Sequence, residues 1–337
     1  MPPPPGADDF CVFLFDGGML RVPRGARFGI LEPLSALAGG QTGSRGGEFM
    51  DQTQPAVLVT GASSGIGLAT ARHLAANGYH VFAGTRTEEG RGKLEQLGLS
   101  SVTPIWLDVT DPEQAEQTIA NVAAQAPGGL FALVNNAGIG PPSVVELLDL
   151  DELRATLEVN TLAPLRMMQL CLPLLRKGQG RIVNISSMNG SVALPMVGGY
   201  SASKFALEAL SNTLRVELRP WKIPVTVIRP GQVGTAIFDK AREALHEREQ
   251  ELPPELRNGY GPLFARCAKL NERGARGATS PEKVAAVVLK ALRARRPRIH
   301  YLVGADAVWL DIGHDVLPTR LLDRLIARVS GMMKGRP

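Results

Sequence analysis

Tyr200 and Lys204 stand four residues apart in Tyr200-Ser-Ala-Ser-Lys204, within a stretch that reads as a helix. Residues at i and i+4 share a helical face. A phenol titrates near about 10 and carries protons poorly at neutral pH. A neighbouring ammonium stabilises the phenolate and is expected to pull that value toward the range where general acid–base catalysis works. The spacing alone occurs by chance in many helices. Here it has company: Ser187 follows the apolar run Arg181–Ile185, and a glycine-rich turn opens the domain at Thr60. Taken together, these residues point to chemistry rather than to surface decoration.

The glycine turn is Thr60-Gly-Ala-Ser-Ser-Gly-Ile-Gly67, preceded by the apolar run Ala56–Val59 and followed by a helical pattern that stops at Gly78. A strand, a glycine turn and a helix N-terminus together present backbone N–H groups to a pyrophosphate, and glycine permits the close approach. The spacing departs from GxGxxG, so the generic dinucleotide pattern is not strictly met.

The segments Thr60–Gly67, Asn135-Asn-Ala-Gly138, Asn160, Ser187, Tyr200, Lys204 and Pro230-Gly231 resemble, in order and spacing, the short-chain dehydrogenase/reductase family, over roughly residues 54–303. The resemblance implies a Rossmann-type fold, a nicotinamide dinucleotide, and hydride transfer between an alcohol and a carbonyl. It assigns proton exchange with the substrate oxygen to Tyr200. Lys204 would lower the tyrosine pKa and hold the nicotinamide ribose. Ser187 would hydrogen-bond the substrate oxygen, with Ser186 as rival, and Asn160 would hold a water that links Lys204 to solvent. Cofactor contacts are carried over to Gly61, Ser63, Ser64, Gly65, Ile66 and Gly67 of the turn, to Asp108 and Val109 for the adenine, and to Asn136, Ala137 and Gly138. They also fall on Tyr200 and Lys204 themselves and on Pro230, Gly231, Val233 and Thr235. Asn136 matches a sheet-bracing asparagine, a structural role.

The residue that reads the adenine ribose should follow the second strand. That strand, His80–Gly84, ends in Thr85-Arg86 with no carboxylate, and a guanidinium can pair with a 2′-phosphate through its planar fork. NADP(H) is therefore preferred, with NAD(H) the alternative if Glu88 or Glu89 reaches the ribose instead. Ser64 stands where many NADP-using relatives carry a basic residue and adds no support.

Length, composition and pattern bound the rest. A chain of 337 residues, 44% apolar and 20% charged, can bury one large core. The formal charge of +5 comes with no nucleic-acid motif. Cys11, Cys171 and Cys267 are far apart, and His73, His80, His246, His300 and His314 form no ligand cluster. No metal site is expected, and reduced thiols suit the cytoplasm. The sequence has neither a run of 18 apolar residues nor the basic start of a signal peptide.

Strands are predicted at 56–60, 80–84, 103–107, 131–135, 180–186, 225–229 and 300–303. Helices are predicted near 65–77, 88–97, 111–125, 150–176, 200–219 and 281–294. This alternation specifies an α/β fold, a doubly wound parallel sheet of about seven strands, with ligand at the carboxyl ends.

Residues 1–50, which open on four prolines, show no helix or strand period and read as a disordered or over-long extension, with Met50 as the true initiator. Residues 51–304 form the catalytic domain, 236–280 an insert that reads as a substrate lid, and 305–337 an amphipathic extension. The insert and the apolar residues Met188, Val192, Leu194, Met196 and Val197 favour an apolar alcohol or ketone as substrate. The helices at 150–176 and 200–219, apolar on more than one side, suggest a homodimer or homotetramer, as in the family. In the extension, Leu321, Leu322, Leu325, Ile326 and Val329 form a stripe opposite Arg320, Arg324 and Arg328. Core or subunit packing is the favoured reading of that stripe, with peripheral membrane contact the lesser one. The rival from another class is a dinucleotide-binding sensor or scaffold without catalysis, and the presence of Ser187, Tyr200 and Lys204 argues against it.

Overall fold

The computed structural model describes the backbone of residues 10–15, 18–23 and 54–332, with the side chains of 54–332 apart from 236–240, 242 and 273–276. Contacts divide the chain into two units, residues 1–51 and 52–337. In the first, β1 (Phe10–Phe15) and β2 (Gly18–Pro23) pair antiparallel, with Phe15 opposite Gly18. The sequence reading assigns no strand there. Its missed signal is the Asp16-Gly17 pair between two apolar runs, the dipeptide that two-residue hairpins prefer. Met50 lies outside the described residues.

The second unit alternates strand and helix: β3 (Ala56–Val59), α1 (Gly65–Ala75), β4 (His80–Thr85), α2 (Glu88–Glu95), β5 (Val102–Trp106), α3 (Pro112–Gln125) and β6 (Ala132–Asn135). Then come α4 (Leu150–Leu157), α5 (Ala163–Lys177), β7 (Arg181–Ile185), α6 (Gly198–Glu217) and β8 (Val225–Pro230). The chain ends with α7 (Ala236–Gln250), α8 (Pro254–Gly277), α9 (Pro281–Arg293), β9 (His300–Val303), α10 (Ala305–Val316) and α11 (Thr319–Val329).

Seven strands form one parallel sheet in the order β5-β4-β3-β6-β7-β8-β9. Alternation along each strand divides the core into two layers. Val57, Val59, Val81 and Val134 face α1 and α9, where Leu74, Val284 and Val288 are buried. Leu58, Phe82, Leu133 and Ile182 face α3 and α5, meeting Ile119, Val122, Met167 and Leu175. The direction of winding reverses between β3 and β6, and a crevice at such a switch point takes the ligand in doubly wound sheets.

One predicted helix is corrected. The stretch 150–176 is broken by a π-helical turn, Glu158–Leu162, between α4 and α5. Pro164 has no N–H to give to the Asn160 carbonyl, and its ring crowds that oxygen. The ladder widens instead, and the Ala163 N–H bonds back to the Glu158 carbonyl, five residues away. Asn160 lies in that turn, fully buried.

Candidate active site

On α6, Tyr200, Lys204 and Glu208 recur every four residues and share one face. Lys204 is buried, and its Nζ donates to the Ile185 carbonyl at 3.0 Å, 5.7 Å from the centroid of the Tyr200 ring. Burial pulls its pKa down to about 8, against an upward pull from Glu208. The Tyr200 pKa is raised rather than lowered. Burial disfavours the phenolate, and the hydrogen bond with the Ser187 hydroxyl only partly opposes this. The sequence reading expects the ammonium to depress the phenol. In the structure the ammonium is directed to a carbonyl, and desolvation dominates both groups.

The two serines separate by orientation. Ser187 follows β7 by two residues and caps the 3₁₀ turn Met188–Gly190, its hydroxyl accepting from the Asn189 N–H at 3.1 Å and meeting the Tyr200 phenol. Ser186 is directed to the other side, toward Glu208, whose ionised form it favours. Ser187 is thus the serine that reaches the tyrosine.

Asn160 is held on all sides. Its Oδ1 accepts from the Ile139 N–H at 2.9 Å, and its Nδ2 donates to the Ile139 carbonyl at 2.7 Å and to the Ser203 hydroxyl at 2.9 Å. Gly138 lies between this side chain and Lys204; a Cβ there would stand 3.2 Å from Asn160 Oδ1 and 3.6 Å from Lys204 Nζ. The π turn therefore brings Asn160 to the tyrosine–lysine face.

Behind Lys204 lies a cluster the sequence reading does not anticipate. Arg229 on β8 grips both oxygens of Glu208, at 2.8 and 3.0 Å, and its third nitrogen reaches Asp311 on α10 at 3.0 Å. His300 Nε2 lies 3.4 Å from Glu208. Burial raises the Glu208 pKa, but bonds from His300 and Arg229 more than offset it and hold the carboxyl below its ordinary value. No local motif announces this cluster, because its members come from four elements more than 100 residues apart in total span.

At the cofactor end, the turn after β3 has the shape a phosphate cradle requires. Gly61 adopts φ +61°, and a Cβ on Gly67 would overlap the Gly61 carbonyl oxygen. Ser64, at the start of α1, makes no side-chain cap, so the first-turn N–H groups of Gly65, Ile66 and Gly67 stay available to an anion. Asn136 braces the turn, its Nδ2 donating to the Thr60 and Gly61 carbonyls at 3.0 Å each. The Thr60 hydroxyl accepts from the N–H groups of Asn136 and Ala137. Ser63 packs against Gly90 of α2.

Arg86 is 62% exposed beyond β4, with Asp108 at 3.9 Å. Asp108 accepts from the Thr110 N–H and hydroxyl at 2.9 and 2.7 Å, and Val109 beside it is buried. Burial of Asp108 favours its neutral form, but the Thr110 bonds and Arg86 hold its pKa below the usual value. The segment from Pro230 crosses to the same crevice. Gly231 N–H bonds the Val303 carbonyl, Val233 bridges to Thr279, and Thr235 packs its methyl group on Gly65. These residues fit a dinucleotide laid across the ends of β3 and β6.

The insert α7–α8 covers the other side. Leu245, Leu252, Leu263 and Phe264 pack on Val144 and Met196. Arg248 pairs with Glu152, and the Tyr260 hydroxyl donates to Glu146 at 2.6 Å, tying the insert to the α4 region. Met196 sits at φ +70°, a strained conformation for a side-chain-bearing residue, held where its carbonyl accepts from the Ser143 N–H at 2.7 Å. Val192 is buried nearby, and the side chains of Ile237 and Phe238 lie outside the described residues.

A family model described as short chain dehydrogenase matches residues 55–246, the stretch that carries the glycine turn, Ser187, Tyr200 and Lys204. The chain belongs to the short-chain dehydrogenase family. It is an oxidoreductase. Among curated members of the family, it is 38% identical to 3-amino-tetrahydro-pyrrolizinone reductase of Xenorhabdus hominickii over 76% of this chain and 88% of that one. It is 35% identical to retinol dehydrogenase 5 of Mus musculus over 80% of this chain and 87% of that one. A solved short-chain dehydrogenase from Streptomyces avermitilis superposes with a TM-score of 0.66 at 30% identity, covering 82% of this chain and 95% of its own. One from Burkholderia cenocepacia, in complex with NADP, superposes with a TM-score of 0.60 at 25% identity, covering 83% and 99%.

Proposed function

We propose that this short-chain dehydrogenase interconverts an apolar secondary alcohol and its ketone, with NADP(H) preferred over NAD(H). The observation that carries the reading is the Ser187–Tyr200–Lys204 arrangement lying between a glycine cradle and the apolar cluster of Val144, Met196, Leu263 and Phe264. When bound, the dinucleotide supplies or accepts the hydride. Tyr200 holds the proton at its phenolic oxygen and gives it to the substrate oxygen as a ketone is reduced. Ser187 donates to that same oxygen and steadies the charge developing on it. Lys204, with a pKa near 8, exchanges protons close to neutrality and restores the phenol. Gly61, Gly65, Ile66 and Gly67 hold the pyrophosphate, while Arg86 takes the ribose phosphate. The insert excludes water and selects an apolar substrate.

Three observations support the cofactor preference: β4 ends without a carboxylate, Arg86 is exposed there, and a structural relative is named as an NADP complex. Glu89, one of the two rival ribose contacts, pairs with Lys93 at 2.6 Å. The second reading, NAD-dependent oxidation of a retinol-like or steroid-like alcohol, draws on the names of relatives such as retinol dehydrogenase 5. A cytoplasmic location and an oligomer built on α6, which leaves Phe205 and Val216 exposed, belong to the same proposal.

Calorimetric titration with NADPH and NADH tests the reading. NADPH is expected to bind more tightly, and Arg86→Gln to weaken it about ten- to a hundredfold while sparing NADH. Tighter NADH binding would transfer the reading to the oxidative alternative. Tyr200→Phe is expected to keep cofactor affinity and lose turnover; nucleotide binding with no turnover in the parent would restore the scaffold reading.

A further inference from the structure

The C-terminal stripe is packed into the chain along one row only. Leu322 of α11 and Ser330, which caps its end, are buried and Ile326 is half-buried, which accounts for one seam of the helix. The next row, Leu321, Leu325 and Val329, is 48%, 51% and 49% exposed. At about 100° per residue, Arg320, Arg324 and Arg328 form the row beyond it, all exposed. The apolar row thus runs between a buried seam and a line of guanidiniums, none of which has an ion-pair partner among the described residues. On α10, which packs against α11, Trp309 is 73% exposed and Ile312 and Val316 stand open beside it.

We propose that α11 docks on an anionic lipid surface, with Leu321, Leu325 and Val329 entering the interface and the three arginines meeting lipid phosphates and carboxylates. An apolar row edged by cations is the arrangement that lies in a bilayer interface rather than across it. No described helix is long and apolar enough to cross a membrane. An exposed tryptophan on the adjoining helix suits the headgroup level, where one side of the ring is apolar and the other wet.

A second copy of this chain fits the surface less well. An antiparallel two-fold pairing of α11 would set each arginine row against the other. Asp323, the one carboxylate of α11, lies on the far side of the helix from the apolar row. Arg266 of α8 bonds the Val329 carbonyl at 2.9 Å, so the docking helix adjoins the insert over the apolar cluster. Docking itself does not rest on the substrate reading.

The test is flotation of the full chain with phosphatidylcholine vesicles, with and without phosphatidylserine. The chain is expected to float with the anionic vesicles and to be released by salt. Neutralising the row by Arg320→Gln, Arg324→Gln and Arg328→Gln together should lower partitioning on the order of a hundredfold. Leu325→Asp should abolish it. Because each of these residues is exposed, thermal midpoints should match the parent, which separates lost docking from lost folding without reference to enzyme activity. The proposal is overturned if the parent stays unbound with anionic vesicles, or if the arginine variant binds as well as the parent. A dimer in size-exclusion chromatography that Leu325→Asp dissociates would assign the face to a second copy instead.

Discussion

At the scale of the residue, Lys204 carries the sharpest consequence. Its ordinary pKa of 10.5 falls to about 8 in the folded chain because the ammonium is desolvated. Between those values the unfolded chain binds more protons than the folded one. Stability therefore rises with pH across that window, and below about pH 8 the buried charge is a constant penalty of about 3 kcal/mol. Denaturant melts at pH 7, 8, 9 and about 10 should show the parent gaining stability relative to Lys204→Met. A pH-independent difference between the two would mean that the ammonium is solvated. The raised Tyr200 pKa belongs to the same account. Residue types and spacing show which groups can exchange protons, but the direction of each shift depends on how much water the surrounding elements exclude, and that is invisible in Tyr-x-x-x-Lys.

At the scale of the element, the π turn shows how a local break builds a site. Pro164 widens the ladder, and Asn160 turns its amide onto both backbone groups of Ile139 and onto Ser203. Asn160→Ala would leave the half-buried Ile139 N–H and carbonyl without their partner, costing about 2 kcal/mol. A thermal midpoint that does not move would show that the turn holds without the side chain. The strands were legible within a residue or two, because strands covered on both faces are continuous apolar runs. The π turn was not, since 150–176 keeps an unbroken helical pattern and only one missing N–H departs from it. The hairpin at 10–23 was missed although Asp16-Gly17 marks it, because the flanking prolines and glycines drew the whole segment into one low-order class.

At the scale of the molecule, the seven-stranded sheet and its helices all lie within residues 52–337, and the hairpin belongs to a separate contact unit. A chain beginning at Met50 is therefore expected to unfold cooperatively at the parent midpoint and to keep its nucleotide affinity. A midpoint lowered by several degrees would assign residues 1–49 a part in the fold. The C-terminal helices show the limit of pattern at this scale. Their amphipathic period is plain in the sequence, yet the same period serves packing, pairing and lipid. Only the exposure of Leu321, Leu325 and Val329 beside a buried Leu322 separates the rows.

The sequence by itself determined the family, the parallel sheet, and the spacing of the tyrosine, the lysine and the glycine turn. These are written as short-range spacing and apolar period, which the backbone must obey wherever the segment lies. The tertiary structure decided which serine meets the phenol, where the Lys204 ammonium is directed, and that Glu208, Arg229, Asp311 and His300 form one cluster. It also decided which row of the last helix stays uncovered. Each of these depends on desolvation and on contacts between elements far apart in the chain, and free energies of that kind exist only once the elements have packed.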